Sequence, residues 1–353
     1  HRSLMAKILM QQKKGILVAG SHGKTTTSSL LLWVLKYAGL DPSYAIGGFP
    51  NFLKKNGGMG TGQSLIFEAD ESDGSFLNYQ GESAIITNIG GDHLSFWKTK
   101  EKLIEGFKDF ALNVKNKDTL FWCADDPILS QLNLPGVSYG LKGDIKLLGF
   151  EYQKGRTFFR FSYLGKTYNN FQIPFFGKEF VLNALGVFGM AVSLGANSEQ
   201  IREAFQTFKG VKRRQEKIGK AKGIAFFDDY AHHPTEIKCL IDNFKKIKKE
   251  GNLVAVFQPH RFTRTRDCLF EFKEALKNVD ILILTSIYSA GEEPIDGISD
   301  AIVLKEIDNG KAHFVNYEEL PSFLTKILNK GDICLTIGAG NISKIGYKTL
   351  QCL

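Results

Sequence analysis

A glycine-rich loop between an apolar run and a helical pattern is the feature that most constrains this chain. The apolar run covers 15–19, the helical pattern covers 25–37, and the loop between them reads Gly20-Ser21-His22-Gly23-Lys24-Thr25-Thr26. Glycines let backbone N–H groups approach phosphate oxygens, and a helix N-terminus adds its positive dipole end. We expect Lys24 to reach the outer phosphates of a nucleotide and Thr25 to offer its hydroxyl to Mg²⁺. Because Val18 stands where the strict spacing has glycine, a plain glycine turn with a solvated lysine is the alternative.

Strand-like runs alternate with helical patterns through most of the 353 residues, which favours an α/β fold with mostly parallel sheets. A chain of that length suits two domains rather than one core. We place the boundary at the start of the polar stretch 210–222, which gives domains at 1–211 and 212–353. The run 1–12 also looks helical and starts at His1, which suggests a fragment whose front end has been removed.

The remaining elements follow the same periodicities. Strands of the first domain are expected at 64–67, 84–87 and 119–123, and an apolar helix at 181–194. Between 144 and 171 the pattern changes to alternation, with Gly165-Lys166 as the expected hairpin turn. Strands of the second domain are expected at 224–227, 253–257, 281–285, 312–315 and 333–337.

Composition excludes several classes of protein. No stretch approaches the roughly 20 apolar residues that span a bilayer, so no membrane partner is expected. Five dispersed cysteines without a CxxC pair fit reduced thiols in a cytoplasm, and no signal peptide precedes the first motif. The net charge is +8, but the sequence has no block of basic residues interleaved with aromatic ones. Binding of phosphorylated small substrates therefore explains the charge better than binding of nucleic acid.

Two polar segments follow predicted strands of the first domain. The acidic segment 67–73 contains Glu68, and carboxylates near a phosphate loop suit Mg²⁺, although a helix-capping turn is the alternative. The segment 87–93 ends in His93. A single histidine is more often structural, but at the same edge of the sheet it becomes a candidate ligand of a second metal ion.

The second domain carries two further segments at strand ends. One runs from Phe227 to Glu236 and includes Tyr230 and His232, and the other runs from Phe257 to Arg266. In the latter, three arginines fall within six residues, which is usually a solvated face. At the end of a parallel strand they could instead bind an anionic group through bidentate contacts.

Taken in order, these motifs resemble the Mur ligases, and most of all the alanine-adding branch of that family. The resemblance covers nearly the whole chain and includes the segments 20–27, 68–73, 87–93, 123–127, 228–236, 257–267 and 288–297. It implies a P-loop-type ATP-binding central domain followed by a Rossmann-like, amino-acid-binding C-terminal domain. It also implies that an N-terminal UDP-binding domain is absent, so this fragment alone should not ligate at useful rates.

The activity implied by the resemblance is ATP-dependent formation of an amide between L-alanine and the lactyl carboxylate of UDP-N-acetylmuramate. The lactyl carboxylate would first receive the γ-phosphoryl group of ATP, giving an acyl phosphate that the amine then attacks. Two Mg²⁺ ions and Lys24 would neutralise the charge on the phosphates.

Residue roles carried over from the family follow the matching motifs. Thr25 and Glu68 would ligate one Mg²⁺ and His93 the second, and Asn183 would contact the adenine. The residues expected around the alanine and muramyl groups are Tyr230, His232, His260, Arg261 and Arg264. Arg213 and Arg214 match a paired arginine at the family's domain junction, with a plain hinge charge as an equal alternative.

This chain departs from the family at two places. Lys178-Glu179-Phe180 stands where a His-Asn pair usually precedes Asn183, which predicts an altered adenine pocket. Ser286 replaces a common aspartate, which puts any role for that position in doubt.

Three other functions stay open from sequence. One is the recycling ligase that attaches a whole peptide to the same nucleotide sugar. Another is a plain P-loop ATPase or kinase, which would leave the histidines and arginines at the strand ends of the second domain without a role. The third is a non-catalytic remnant, against which the intact Lys24, Glu68 and His93 speak. Oligomeric state and preference among alanine, serine and glycine are not encoded in any motif.

Overall fold

The chain forms two compact units, His1–Lys212 and Arg213–Leu353. The computed structural model describes residues 8, 10, 12–91, 94–308, 310 and 312–353. Most of the predicted first helix, over 1–12, lies outside the described residues. Within the described part of the chain, no helix has the length and apolarity needed to cross a bilayer.

The first unit is built on a sheet of ten strands in the order β10-β9-β8-β7-β6-β5-β1-β4-β2-β3. Its strands are β1 Lys14–Ala19, β2 Ser43–Ala45, β3 Gly57–Gly58, β4 Ser64–Glu68, β5 Ser83–Ile86, β6 Leu120–Cys123, β7 Val137–Gly140, β8 Ile145–Gln153, β9 Arg156–Tyr163 and β10 Lys166–Ile173. In the order of the sheet, all neighbouring strands between β8 and β2 are parallel. The edge strand β3 is antiparallel to β2, and at the other edge β8, β9 and β10 form antiparallel hairpins. The predicted α/β class is therefore confirmed.

The α-helices whose bounds the structure gives in this unit are α1 Lys24–Tyr37, α2 Leu94–Trp97, α3 Lys100–Asn113, α4 Lys178–Ser193 and α5 Ser198–Thr207. Two of them begin at side-chain caps that bind backbone N–H groups, Thr99 for α3 and Asn197 for α5. Helix α4 is buried along most of its length because two glycines let it lie close to the sheet. A Cβ at Gly189 would come within 2.4 Å of the Phe121 ring, so a larger residue would push the helix away.

Register places three strand ends of this unit side by side. Val18 of β1 pairs with Glu68 of β4, and Ala19 pairs with Ile86 of β5. Because the three strands are parallel neighbours, the segments that follow them emerge at one edge of the sheet.

Some local expectations for the first unit are wrong. The hairpin turn between β9 and β10 lies at Leu164-Gly165, with φ of 49° and 73°, rather than at Gly165-Lys166. Two successive positive φ angles suit the right-handed twist of a tight hairpin, and Lys166 already belongs to β10. Strands β2, β3 and β7 were not expected, because each is at most four residues long and lacks a strong apolar pattern.

The second unit has a six-stranded sheet in the order β11-β12-β16-β13-β14-β15. Its strands are β11 Glu216–Ala221, β12 Ile224–Asp229, β13 Leu253–Phe257, β14 Ile281–Leu284, β15 Ala312–Phe314 and β16 Ile333–Ile337. Its helices are α6 Pro234–Ile247, α7 Phe262–Asp267, α8 Leu269–Leu276, α9 Asp300–Ile307, α10 Leu320–Ile327 and α11 Ser343–Cys352. All neighbouring pairs are parallel except β11–β12, and β11 lies in the polar stretch where no strand was expected.

Candidate functional site

The phosphate loop of the first unit depends on two glycines with positive φ angles. Gly20 has φ of 133°, and a Cβ there would lie 2.0 Å from the Thr87 hydroxyl oxygen. Gly23 has φ of 86° and precedes α1, and its Cβ would lie 2.6 Å from the side-chain nitrogen of Asn183. Both positions therefore combine an unfavourable backbone angle for other residues with a lack of space.

The segment after β5 holds the loop by hydrogen bonds. The Asn88 side chain accepts from the backbone N–H of His22 and donates to the His22 carbonyl, both at 2.9 Å. The Thr87 hydroxyl donates to the same carbonyl at 2.7 Å, and the Gly90 N–H donates to the Ser21 hydroxyl at 2.7 Å. The loop is thus shaped by the protein itself. Thr87 and Asn88 were not predicted as site residues, although they belong to the segment 87–93 that follows β5.

Lys24 lies in an acidic environment supplied by the segment after β4. Its ammonium donates to the Gly20 carbonyl and to the Glu71 carboxylate, each at 2.7 Å, and lies 3.7 Å from Asp70. The Glu71 side chain is only 1% exposed, so this ion pair is largely shielded from water. The buried Trp97 indole donates to the Glu71 carbonyl at 2.9 Å and fixes the segment. Sequence reasoning placed Glu71 in an acidic cluster but did not identify it as the partner of Lys24.

The predicted Mg²⁺ ligands Thr25 and Glu68 are adjacent. The Thr25 hydroxyl donates to one oxygen of the Glu68 carboxylate at 3.1 Å. The backbone N–H of Gly47 donates to the other oxygen at 2.8 Å and orients the carboxylate. A Cβ at Gly47 would lie 2.8 Å from Glu68, and one at Gly48 would lie 2.6 Å from Thr25, so both glycines let the backbone approach this pair.

This hydroxyl–carboxylate pair fits Mg²⁺, a hard cation that takes one or two carboxylates together with phosphate and water oxygens. Among the described residues, no group of three or more His, Cys, Asp or Glu side chains could hold a metal. Phosphate and water oxygens would therefore have to complete the coordination. His93, the predicted ligand of a second ion, lies outside the described residues.

Asn183 lies on α4, directly against the phosphate loop, and is 7% exposed. The residues that depart from the family pattern make other contacts at the start of this helix. Lys178 forms an ion pair with Asp125 at 2.5 Å, and the ring of Phe180 stacks on Phe175 with centroids 4.7 Å apart. The residues expected to alter the adenine pocket thus form an ion pair and an aromatic stack.

In the second unit, predicted substrate residues from the ends of β12 and β13 form one cluster. The Tyr230 and His232 ring centroids are 5.2 Å apart, and those of His232 and His260 are 6.0 Å apart. His260 also stacks on Tyr288, from the segment after β14, with an interplanar angle of 11°. Side chains from three strand ends therefore meet, as expected for the carboxyl edge of a parallel sheet.

Arg264 and burial keep the cluster's histidines neutral. The Arg264 guanidinium lies 3.1 Å from Nδ1 of His260 and 3.2 Å from its carbonyl oxygen. Burial, with the nearby positive charge of Arg264, lowers the pKa of His260 to about 4. Burial also lowers the pKa of His232, against the opposing effect of Glu236. The lowered pKa of each imidazole favours its uncharged form.

Arg261 differs from Arg264 in exposure and conformation. Its side chain is 51% exposed and lies 3.9 Å from Glu292, whose carboxylate is held by the backbone N–H and hydroxyl of Thr263. Its φ of 71° is unusual for a residue with a Cβ. Backbone strain of this kind often accompanies a functional constraint. The structure therefore brings Arg264 into the histidine cluster and leaves the Arg261 side chain largely in solvent.

Arg213 connects the ends of β12 and β16. Its guanidinium pairs with the buried Asp228 at 3.2 Å, donates to the carbonyls of Gly338 and Ala339, and lies over the Tyr230 ring at 4.9 Å. Arg214 lies over the same ring at 5.1 Å. Through these contacts Arg213 holds the segment that contains Tyr230 in place, which a charge at a plain hinge would not do.

The adjacent Asp229 is also buried. Burial raises its pKa to about 6, although the backbone N–H groups of Gln215 and Ala231 donate to its carboxylate. The bond from Ala231 fixes the backbone directly after Tyr230, and the bond from Gln215 attaches the segment after Arg214 to the end of β12.

Two family models together match most of the chain. Residues 18–191 match the family model of the Mur ligase middle domain, and residues 213–340 match that of the Mur ligase, glutamate ligase domain. The chain belongs to the Mur ligase family.

Individual relatives show which members of the family this chain is similar to. The UDP-N-acetylmuramate–L-alanine ligase of Protochlamydia amoebophila is 40% identical over 360 residues, covering 100% of this chain and 79% of that protein. The enzyme of the same name from Geobacter sulfurreducens is 41% identical over 363 residues, with the same coverage of both chains. The crystal structure of the UDP-N-acetylmuramate-alanine ligase of Thermotoga maritima superposes with a TM-score of 0.82 at 28% identity, covering 99% of this chain and 78% of that one.

Proposed function

We propose that this chain supplies the ATP-binding and amino-acid-binding units for the ATP-dependent joining of L-alanine to the lactyl carboxylate of UDP-N-acetylmuramate, a reaction that proceeds through an acyl phosphate. The observation that carries the proposal is the grouping of Lys24, Thr25 and Glu68 beside a glycine loop at one sheet edge. The relatives that are about 40% identical bear the name of this ligase. They favour it over the peptide-recycling ligase, over a plain ATPase and over a remnant without activity.

The first unit would activate the carboxylate. A carboxylate does not acylate an amine at neutral pH, so it must first receive the γ-phosphoryl group of ATP. Phosphoryl transfer depends on positioning and charge neutralisation, which Lys24 and the loop N–H groups supply. Thr25 and Glu68 would hold a Mg²⁺ ion, whose charge would offset that of the phosphates.

A second Mg²⁺ at His93 is part of the proposal. The test is kcat against free Mg²⁺ for the wild type and for His93→Ala, in the complete natural polypeptide. The variant should bind Mg-ATP almost normally and need more Mg²⁺ for turnover. An unshifted curve with lower thermal stability would assign His93 a packing role instead.

The second unit would bind the amino acid and the muramyl group. Guanidinium groups suit carboxylates and phosphates because they donate two parallel hydrogen bonds, which assigns Arg261 and Arg264 to anionic groups. Tyr230, His232 and His260 line the same strand ends. We accordingly assign 1–211 to ATP binding, with Asn183 at the adenine, and 212–353 to amino-acid binding. Since ATP and the nucleotide sugar are cytoplasmic metabolites, we place the reaction in the cytoplasm.

An assay with two competing amines tests the proposal. The complete natural polypeptide is incubated with Mg-ATP, UDP-N-acetylmuramate and either L-alanine or the tripeptide, and ADP and product mass are measured. We expect an amide product with L-alanine. A product with the tripeptide alone would identify the recycling ligase, and ADP release without any amide would indicate an ATPase.

A further inference from the structure

The hydrogen bonds of His232 determine which of its ring nitrogens carries the proton. Nδ1 lies 3.0 Å from the Tyr230 carbonyl oxygen, which can only accept a hydrogen bond, and 3.7 Å from the Glu236 carboxylate. The neutral ring must therefore hold its proton on Nδ1. This leaves Nε2 as an acceptor with a lone pair. The side chain is 24% exposed, so a small molecule can reach it.

The contact of His260 fixes the opposite tautomer. Nδ1 of His260 lies 3.1 Å from a guanidinium nitrogen of Arg264, which can only donate. Nδ1 must therefore accept, and the proton of the neutral ring lies on Nε2. Two neighbouring histidines, with ring centroids 6.0 Å apart, thus present one acceptor and one donor.

An amino acid carries both a cationic and an anionic group, and this edge offers a partner for each. The anionic carboxylate suits donors, which are the His260 Nε2–H and the two guanidiniums of Arg261 and Arg264. The ammonium group suits an acceptor, and the His232 Nε2 is such an acceptor in the same cluster. We propose that His232 is a catalytic residue, whose Nε2 accepts a proton from the ammonium group of the incoming amino acid. This inference rests on the proposed amide-forming function.

The proton balance of the step is complete. One proton passes from the ammonium group to His232 Nε2, and the nitrogen lone pair then forms the C–N bond at the acyl-phosphate carbonyl. The C–O bond to phosphate breaks from the tetrahedral intermediate, and phosphate leaves with the electron pair. The second proton lost by the nitrogen goes to the departing phosphate. His232 returns its proton to solvent after product release.

Other charged groups around the ring are less suited to the role. Glu236 accepts from the backbone N–H groups of His232 and His233 and caps α6. The nitrogen of His260 that could accept a proton faces Arg264. Arg264 and Arg214 are cations near His232, and together with burial they oppose its protonation in the resting site, whereas Glu236 favours it. Tyr230 accepts from Nδ1 through its carbonyl, and its ring makes a T-shaped contact with the imidazole.

The test separates carboxylate activation from proton removal. His232→Gln keeps an N–H that can donate to the Tyr230 carbonyl but cannot take up a proton. It is compared in the complete natural polypeptide with wild type and with His313→Gln, which removes an exposed histidine on β15. Each protein is offered L-alanine or hydroxylamine, which is mostly unprotonated at neutral pH and needs no base to attack an acyl phosphate.

We expect His232→Gln to lower kcat for alanine by roughly 10²–10⁴-fold, the usual contribution of a general base. Hydroxamate formation and melting temperature should stay within about twofold and a few degrees of wild type. The residual alanine rate should rise about tenfold per pH unit, because the amine must then arrive already deprotonated. His313→Gln should behave as wild type.

The other outcomes are equally informative. Equal losses with alanine and hydroxylamine in a normally folded variant would assign His232 to binding and overturn the base role. An unchanged alanine rate would overturn it as well. Should the wild type trap hydroxylamine but never join alanine, the amine substrate of the proposed function is wrong. If the wild type forms neither product, the proposed function itself fails.

Discussion

The phosphate loop of the first unit and the histidine–arginine cluster of the second both lie at the carboxyl ends of parallel strands, but they are held differently. In the loop, glycines 20 and 23 allow the backbone path, and Asn88 fixes it through hydrogen bonds to main-chain atoms. In the cluster, the functional groups are side chains, and burial together with Arg264 sets the protonation of His260.

This difference predicts different sensitivities to substitution. A backbone loop fails through sterics when a Cβ is added, whereas a side-chain cluster loses one contact at a time. The second unit also contains titratable groups with shifted pKa values, which are about 4 for His260 in the cluster and about 6 for the neighbouring buried Asp229. The following four experiments test this contrast.

The largest effect is expected from Lys24→Met. Removing the charge at the phosphates should lower ligation by at least about 10³-fold, in line with the loss of a group that stabilises developing charge. Because Lys24 is also the ion-pair partner of buried Glu71, the variant should melt earlier as well. Adding Glu71→Gln should restore the melting temperature but not the activity. Lys36→Met, on the same helix but in a partly exposed pair with Asp41, is the control.

Near-native turnover by Lys24→Met with a normal melt would contradict the phosphate-loop assignment. The buried Glu71 carboxylate, which would lose its cationic partner, is the reason for expecting a stability loss.

The next effect concerns space at Gly23. Alanine at Gly23 and at Gly39 carries a similar backbone penalty of about 1–2 kcal/mol, since both have positive φ, 86° and 77°. Only Gly23 faces a neighbour, Asn183, whereas a Cβ at Gly39 meets nothing within 4 Å. Gly23→Ala should therefore lose more stability and also weaken Mg-ATP binding, measured by calorimetry. Equal losses and unchanged nucleotide affinity would show that the loop tolerates displacement of Asn183.

A smaller effect is expected from Arg264→Ala, which removes a donor to His260. Losing a charge-assisted hydrogen bond should cost about 2–3 kcal/mol of binding, on the order of 30- to 150-fold in KM for L-alanine or the nucleotide sugar. Arg261→Ala should cost less, because that side chain is half exposed. Arg266→Ala is the control, since Arg266 pairs with Asp267 at the surface. Changes confined to the KM for ATP would refute the substrate-anchor role.

The smallest effect is a slope of stability against pH. The pKa of His260 falls from 6.5 to about 4 on folding, so between these values the unfolded chain binds more protons and stability rises with pH. The pKa of Asp229 rises from 3.8 to about 6, so there the folded chain binds more protons and stability falls with pH. The two slopes oppose each other across the same window, and His232 adds to that of His260.

His260→Gln should therefore make the slope of unfolding free energy more negative between pH 4 and 6, by less than about 1.4 kcal/mol per pH unit because solvent screens a partly exposed ring. Asp229→Asn should make it more positive. Urea unfolding at several pH values and constant ionic strength measures both. Identical slopes in wild type and both variants would mean that neither group shifts on folding.

Much of the fold could be predicted from the sequence because its signals are local. The run before Gly20 is continuously apolar because β1 is covered on both faces, and β13 and β16 have the predicted bounds for the same reason. Strands β2, β3 and β11 escaped prediction because they are short or polar, and pairing with a neighbouring strand defines them. The hairpin at Leu164-Gly165 was misplaced by one residue because only backbone angles separate the two registers.

The sequence by itself determined which chemical groups this protein has and that each of them follows the end of a strand. These groups are a glycine loop with a lysine, an acidic segment, and histidines with arginines. Only the tertiary structure decided which groups meet. It paired Lys24 with Glu71 across 47 positions, and it set Asn88 against the loop 66 positions away. It also fixed the proton positions on His232 and His260 through the contacts of each ring. Hydrogen bonds and burial depend on distances between atoms remote in the chain, and strand order, rather than residue identity, sets those distances.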